Sequence, residues 1–195
     1  MSPFFKYKIL LASQSPRRQM LLSDSGFDLS IVKIDVDESF DSNLKAHEIP
    51  VYLAEKKNKH YTEPLADNQL LVTADTIVWL GDKVLNKPES MQEAKAMLQQ
   101  ISGNMHTVYT GVCVRSATTT KTFYDESKVF FNELTDEMID YYLSYYRPLD
   151  KAGAYGIQEF IGYVGIRRIE GCYYNVMGFP VAKFIRELPS IKESH

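Results

Sequence analysis

Ile9-Leu10-Leu11-Ala12-Ser13-Gln14-Ser15-Pro16-Arg17-Arg18 is the stretch on which the fold turns. Ile9 to Ala12 reads as a buried strand. After two serines the pattern changes. Ser15 suits an N-cap, Pro16 the first helical position, and Met20, Leu21 and Leu22 carry a helix toward a stop at Gly26. Arg17 and Arg18 then fall in the first turn, where unpaired amide N–H groups already make positive potential. Cations there cost stability unless an anion lies among them. Strand, serine loop and basic helix N-terminus together make a phosphate cradle, the alternative being two solvated surface arginines.

Working outward, 195 residues suffice for one large domain or two small lobes with a sizeable core. A net charge of −3 argues against a nucleic-acid polymer as partner, whereas a small anion needs only a local basic pocket. Cys113 and Cys172 are too few for a disulfide framework, and neither has a Cys or His neighbour at zinc spacing. Met1 to Lys8 lacks the apolar centre of a signal peptide, and no apolar run reaches membrane-spanning length. A cytoplasmic protein without membrane partners is expected.

Phe27 to Ile34 alternates as a strand and runs into Asp35-Val36-Asp37-Glu38, an acidic cluster whose simplest reading is a solvated loop. A helix is predicted from Pro50 to about His60, with Pro50, Leu53, Ala54, Lys57 and Tyr61 on one stripe. Lys57 thus sits in an apolar face, where it needs an anion at its tip or must snorkel to water. Leu70 to Leu80 reads as a central strand bent or broken near Asp75, followed by a hairpin through Gly81-Asp82. A carboxylate amid that much apolar sequence needs a cation or donors, or else caps the strand break.

Lys87 is held extended by Pro88, and Ser90 to Glu93 is a capping box opening a helix over Met91 to Ile101. Met105 to Arg115 and Phe123 to Phe131 look like a long hairpin, and Thr135 caps a helix to about Tyr146. Asp150 to Gln158 is a glycine-punctuated loop containing Lys151, Ile161 to Ile169 a further strand, and Gly178-Phe179-Pro180 an entry to a last helix near Leu188. His106 reads as a structural hydrogen-bonder, the tyrosines as packing, and the tail beyond Pro189 as frayed. No Ser-His-acid order, reactive cysteine setting, Walker loop or dinucleotide glycine fingerprint is evident.

Ser13-Gln14-Ser15-Pro16-Arg17-Arg18, Val36-Asp37-Glu38, Leu53-Ala54 with Lys57, Ala74-Asp75-Thr76, Lys87-Pro88, His106 to Gly111, the nearly continuous Asp150 to Gln158, and Asn175 to Pro180 together resemble the Maf family of nucleoside triphosphate pyrophosphatases. That resemblance implies an α/β fold related to inosine triphosphatase. It would be a single Maf-like domain over residues 1–195, an elongated, twisted mixed sheet with surrounding helices and two lobes flanking an active cleft. It implies Asp75 as the catalytic acid/base, and Glu38 with Asp75 as ligands of Mg²⁺ or Mn²⁺. Ser13, Ser15, Arg17, Arg18, Lys57, Lys87 and Lys151 would contact the triphosphate or line the cleft. Arg18, Thr76 and Gln158 match positions tied to substrate choice.

The Asp150 to Gln158 segment resembles the branch acting on dTTP and UTP, which implies hydrolysis to the monophosphate and pyrophosphate, with modified pyrimidine nucleotides as further substrates. Homodimerisation is implied by relatives and by nothing legible in this chain. Three residues depart from the family pattern: Arg147 before Pro148, Asn58 where alanine is common, and Glu159 where glycine commonly follows the glutamine. Glu159 bears on function, because a carboxylate beside Gln158 alters the expected base preference. Rival readings are the same chemistry on another base, a nucleotide-binding regulator of division without significant turnover, and a nuclease acting on a polymer. The last lacks a basic face.

Overall fold

The computed structural model describes residues 6–188; the expected fraying beyond Pro189 lies outside them. Strands β1 (Lys8–Leu11), β2 (Asp28–Ile31), β3 (Gln69–Leu80), β4 (Lys83–Leu85), β5 (Met105–Arg115), β6 (Thr120–Phe131) and β7 (Ile166–Gly171) alternate with helices α1 (Pro16–Asp24), α2 (Glu48–His60), α3 (Met91–Ile101), α4 (Asp136–Tyr146), α5 (Phe160–Gly165), α6 (Tyr173–Met177) and α7 (Val181–Glu187). The strands form one mixed sheet in the order β2-β1-β3-β5-β6-β7, with β4 paired to β3. β1 lies parallel to both β2 and β3, whereas β4 returns antiparallel on β3 and β7 antiparallel on β6. This is the α/β class expected.

Of the described residues, those up to Asp75, Thr110–Asp125 and those from Gly178 onward form one compact unit; Thr76–Tyr109 and Glu126–Met177 form a second. In the first unit Ile9, Leu11, Leu22, Ile49 and Leu70 are fully buried, and the Phe184 ring packs edge-on against Phe27 and Phe179. Gly111 lets α2 approach β5, since a Cβ there would lie 2.3 Å from the Pro50 carbonyl oxygen. In the second, Leu98, Ile101, Phe131 and Tyr142 are buried, with the Phe131 ring edge-on to Tyr155.

Several local expectations hold. Ser15, Ser90 and Thr135 each accept a backbone N–H at the start of α1, α3 and α4, contacts worth about 1 kcal/mol apiece. Others change. α2 begins at Glu48, so Pro50 stands within the first turn, where its missing N–H has no intrahelical partner to lose. β2 is shorter than predicted and β6 begins earlier.

β3 runs unbroken through Asp75, because that carboxylate is satisfied by a side chain rather than by a break. The predicted strand over Ile161 to Ile169 is instead α5 followed by β7. Gly162 explains the difference: its N–H donates to Glu159 O at 2.9 Å, and a Cβ there would lie 2.0 Å from the Ile157 carbonyl oxygen. Only glycine allows the chain to coil so tightly there. Arg147 closes α4 with φ 45°, donating its N–H to Leu143 O.

Candidate active site

The apolar stripe of α2 seats Leu53 and Ala54 in the core of the first unit and directs Lys57 along β3. The Lys57 ammonium ends between two carboxylates, 2.7 Å from Glu38 Oε1 and 2.7 Å from Asp75 Oδ1. The Lys57 and Asp75 side chains are 12% and 13% exposed, that of Glu38 49%. A charge withdrawn so far from water requires such a partner. Thr73, on the same face of β3, donates to Ala54 O at 2.7 Å, and Asn58 Nδ2 donates to Thr73 Oγ1 and to Cys113 O, each at 3.3 Å. Those bonds fix the reach of Lys57. They also account for Asn58 where alanine is common.

The serine loop before α1 is organised by its own hydroxyls. Ser15 Oγ accepts Arg18 N–H at 3.5 Å, and Ser15 N–H donates to Ser13 Oγ at 3.2 Å. The Arg18 guanidinium donates from Nη1 to Ser13 Oγ at 3.3 Å and from Nε to Gly178 O at 2.9 Å. Burial lowers its proton affinity, Asp75 raises it, Arg17 lowers it, and Glu38 raises it. A guanidinium keeps its charge through such shifts, so Arg18 stands as a fixed cation within the field of both carboxylates. Ser13, Ser15, Arg18, Glu38, Lys57 and Asp75 are thus linked within the first unit, to which Arg17 also belongs.

Thr76, Lys87, Lys151 and Gln158 belong to the second unit. Alternation along β3 puts Thr73 and Asp75 on one face, Thr76 and Val78 on the other. Gly153, at φ 67°, lies close over Val78, where a Cβ would meet Cγ2 at 2.9 Å. Its N–H donates to Asn86 O at 3.2 Å, which carries the exposed Lys87 alongside the 151–154 segment. Lys151 is buried, with its ammonium 2.7 Å from Asp150 Oδ1 and 3.2 Å from Glu159 Oε1. Gln158 Oε1 is a buried acceptor with no hydrogen-bond partner among the described residues.

Glu159, the departure expected to alter base preference, directs its carboxylate toward Lys151 and the Tyr142 hydroxyl. Tyr142 is a contributor that the residue pattern did not signal, because it reads as helix packing; Gly178, within the matching Asn175 to Pro180 segment, contributes through its carbonyl. His106 is buried with Nε2 2.8 Å from the Tyr155 hydroxyl, and burial lowers its pKa to about 3. It is a structural hydrogen-bonder, as expected.

Among the described residues no group of three or more His, Cys, Asp and Glu side chains converges to hold a metal. The convergence of Glu38 and Asp75 on one ammonium is a two-carboxylate set of hard oxygens. Such a set suits Mg²⁺ or Mn²⁺, which fill their remaining positions with water and phosphate oxygens. The donors present fit the expected ion.

The sequence model of the family described as Maf-like protein matches residues 8–191. A dTTP/UTP pyrophosphatase of Parabacteroides distasonis is 50% identical over 185 residues, covering 94% of this chain and 95% of its own. A dTTP/UTP pyrophosphatase of Bacteroides thetaiotaomicron is 47% identical, covering 95% of this chain and 97% of its own, and one of Porphyromonas gingivalis is 47% identical over 97% of each. The Staphylococcus aureus Ham1 protein superposes with a TM-score of 0.51 at 13% identity, covering 95% of this chain and all of its own, a likeness of fold alone. No helix of the described residues is long and apolar enough to cross a membrane.

Proposed function

The chain belongs to the Maf family, and we propose that it hydrolyses dTTP and UTP to the nucleoside monophosphate and pyrophosphate. One observation carries the chemistry: Lys57 held at 2.7 Å by both Glu38 and Asp75, with Arg18 in the field of the same carboxylates. Cleaving a polyphosphate requires neutralised charge, a positioned phosphorus and an oriented water.

Arg17, Arg18 and the α1 N–H groups bind the triphosphate, with Ser13 and Ser15 shaping the loop around it. Asp75 orients a water toward the α-phosphorus and takes its proton on a carboxylate oxygen. Lys57 and Lys87 neutralise the departing pyrophosphate. Glu38 and Asp75 would hold Mg²⁺ or Mn²⁺, which when bound supplies charge neutralisation and a more acidic water.

Gln158 supplies base choice. Its unsatisfied Oε1 suits the N3–H of uracil or thymine and its amide N–H suits O4, with the Thr76 hydroxyl as a further contact. With the amide held in that orientation, the cytosine N3 acceptor faces the glutamine oxygen and its N4 amino group faces the amide N–H, a mismatch that polar sites reject strongly. Lys151 serves through the segment that it anchors. Action on a cytoplasmic nucleotide pool, as a homodimer, completes the reading, and modified pyrimidine nucleotides that keep the same edge fall within it.

The test incubates the purified chain with each nucleoside triphosphate and Mg²⁺ or Mn²⁺, measuring pyrophosphate and phosphate separately. Pyrophosphate is expected from dTTP and UTP in excess over the other nucleotides. Release from none of them would leave a nucleotide-binding regulator in place of an enzyme.

A further inference from the structure

Glu159 makes five polar contacts within the second unit. Its backbone N–H donates to Gly156 O at 3.0 Å, and its carbonyl accepts the N–H groups of Gly162 at 2.9 Å and Tyr163 at 3.2 Å. Its side chain turns back, one carboxylate oxygen 3.2 Å from the Lys151 ammonium and the other accepting the Tyr142 hydroxyl. That hydroxyl also accepts the Gly156 N–H at 3.0 Å. Gly156 makes room for the carboxylate, because a Cβ there would lie 2.7 Å from Glu159 Cδ. The Lys151 and Glu159 side chains are 9% and 17% exposed, so the pair is held largely out of water. Burial first, and then Glu159, push the Tyr142 phenol up, keeping it a donor.

Lys151 and Glu159 bound a nine-residue segment whose interior, from Gly153 to Ile157, is buried, and whose last interior residue is Gln158. Tyr163 fixes the Gln158 carbonyl with a hydrogen bond of 2.5 Å, while the Gln158 Oε1 stays unmatched. A loop of this kind left open would let the amide rotate, and the entropy of ordering it would fall on ligand binding.

We propose that Glu159 is a positioning residue for base recognition: paired with Lys151 and bonded to Tyr142, it closes the 151–159 segment into a ring that holds the Gln158 amide ready for the base. The inference rests on the reading of Gln158 as the base-selecting group. It gives a role to a carboxylate that departs from the family pattern, and that role is exerted through Gln158 rather than by touching the base.

The test compares the full chain with Glu159→Ala, Glu159→Gln and Gln158→Ala by calorimetric binding of UMP and of CMP, which needs no turnover. Pyrophosphate release from UTP is measured alongside. The wild-type chain should prefer UMP. Glu159→Ala should weaken UMP about tenfold and leave CMP within about twofold, raising KM for UTP while kcat changes about twofold or less. Glu159→Gln, which keeps an acceptor for Tyr142 but not the charge facing Lys151, should weaken UMP about threefold. Adding Glu159→Ala to Gln158→Ala should cost no further UMP selectivity, the signature of two residues acting as one.

An unchanged UMP-to-CMP ratio in both Glu159 variants, an equal weakening of both nucleotides, or a full additional loss in the double variant overturns the inference. Should Glu159→Ala fail to fold, Glu159→Gln decides alone by the same ratio. Selectivity lost as expected in a chain that releases no pyrophosphate would sink the proposed activity and leave the positioning role standing.

Discussion

Two lysines in this protein occupy nearly the same electrostatic setting. Lys57 lies between Glu38 and Asp75, and Lys151 between Asp150 and Glu159, each ammonium sharing one exposed and one withdrawn carboxylate. The surroundings separate them. The carboxylates that hold Lys57 also act on the buried Arg18 guanidinium, which is bonded to Ser13 in the serine loop that opens α1, groups that together invite an anion. Around Lys151 the carboxylate is tied to a phenol and the phenol to a backbone amide, so the charges are spent within the fold. A lysine between two acids is therefore a site or a brace depending on whether positive charge remains beside it.

If that contrast is right, damage to the first cluster falls on the chemical step and damage to the second on recognition. The largest effect is expected for Asp75→Asn. Pyrophosphate release should drop by about a thousandfold, within the range for losing a general base, while Lys57 keeps Glu38 and the thermal midpoint barely moves. Lys57→Met comes next, with kcat for UTP down about a hundredfold, the order seen when one charge-stabilising group is removed. Stopped assays on both variants check these values. A tenfold fall or less in either would erase the distinction between the two lysines.

Gln158→Ala sharpens the comparison from the other side: KM for UTP should rise about tenfold while kcat falls about threefold or less, since binding rather than chemistry is lost. A kcat loss matching that of Asp75→Asn would place the glutamine in the reaction.

The smallest effect concerns pH. His106 is buried in the second unit, and burial lowers its pKa to about 3, against about 6.5 in an unfolded chain. The unfolded state then binds the extra proton, so stability is full above about pH 6.5 and is lost as pH falls toward 3, by at most about 1.4 kcal/mol per pH unit. Replacing His106 with Gln should flatten that acid limb, visible as a difference of a few degrees per unit in thermal midpoint. Parallel acid limbs in the two proteins would contradict it.

Much of this was legible in the residues, for reasons that are local. Ser15-Pro16, Ser90 with Glu93, and Thr135 mark helix starts by chemistry that needs no distant partner. Lys57 on an apolar stripe required an anion, and two are there. The failures are non-local. Asp75 looked like a strand break because its cation comes from α2, eighteen residues earlier in the chain. Ile161 to Ile169 reads as a strand, and the close approach of the Ile157 carbonyl to Gly162, which no neighbouring residue type announces, accompanies a helix in its first half. Glu159 reads as a carboxylate beside Gln158 that bears on base preference, and its partners cannot be read from that neighbourhood because Lys151 lies eight residues earlier and Tyr142 on α4.

The most direct test of the Asp75 cluster follows oxygen. UTP is turned over in ¹⁸O-labelled water with Mg²⁺ by the wild-type chain and by folded Asp75→Asn. Label should appear in UMP and not in pyrophosphate, at a rate about a thousandfold lower in the variant. Label in the pyrophosphate, or equal rates in the two proteins, would contradict water attack at the α-phosphorus directed by Asp75.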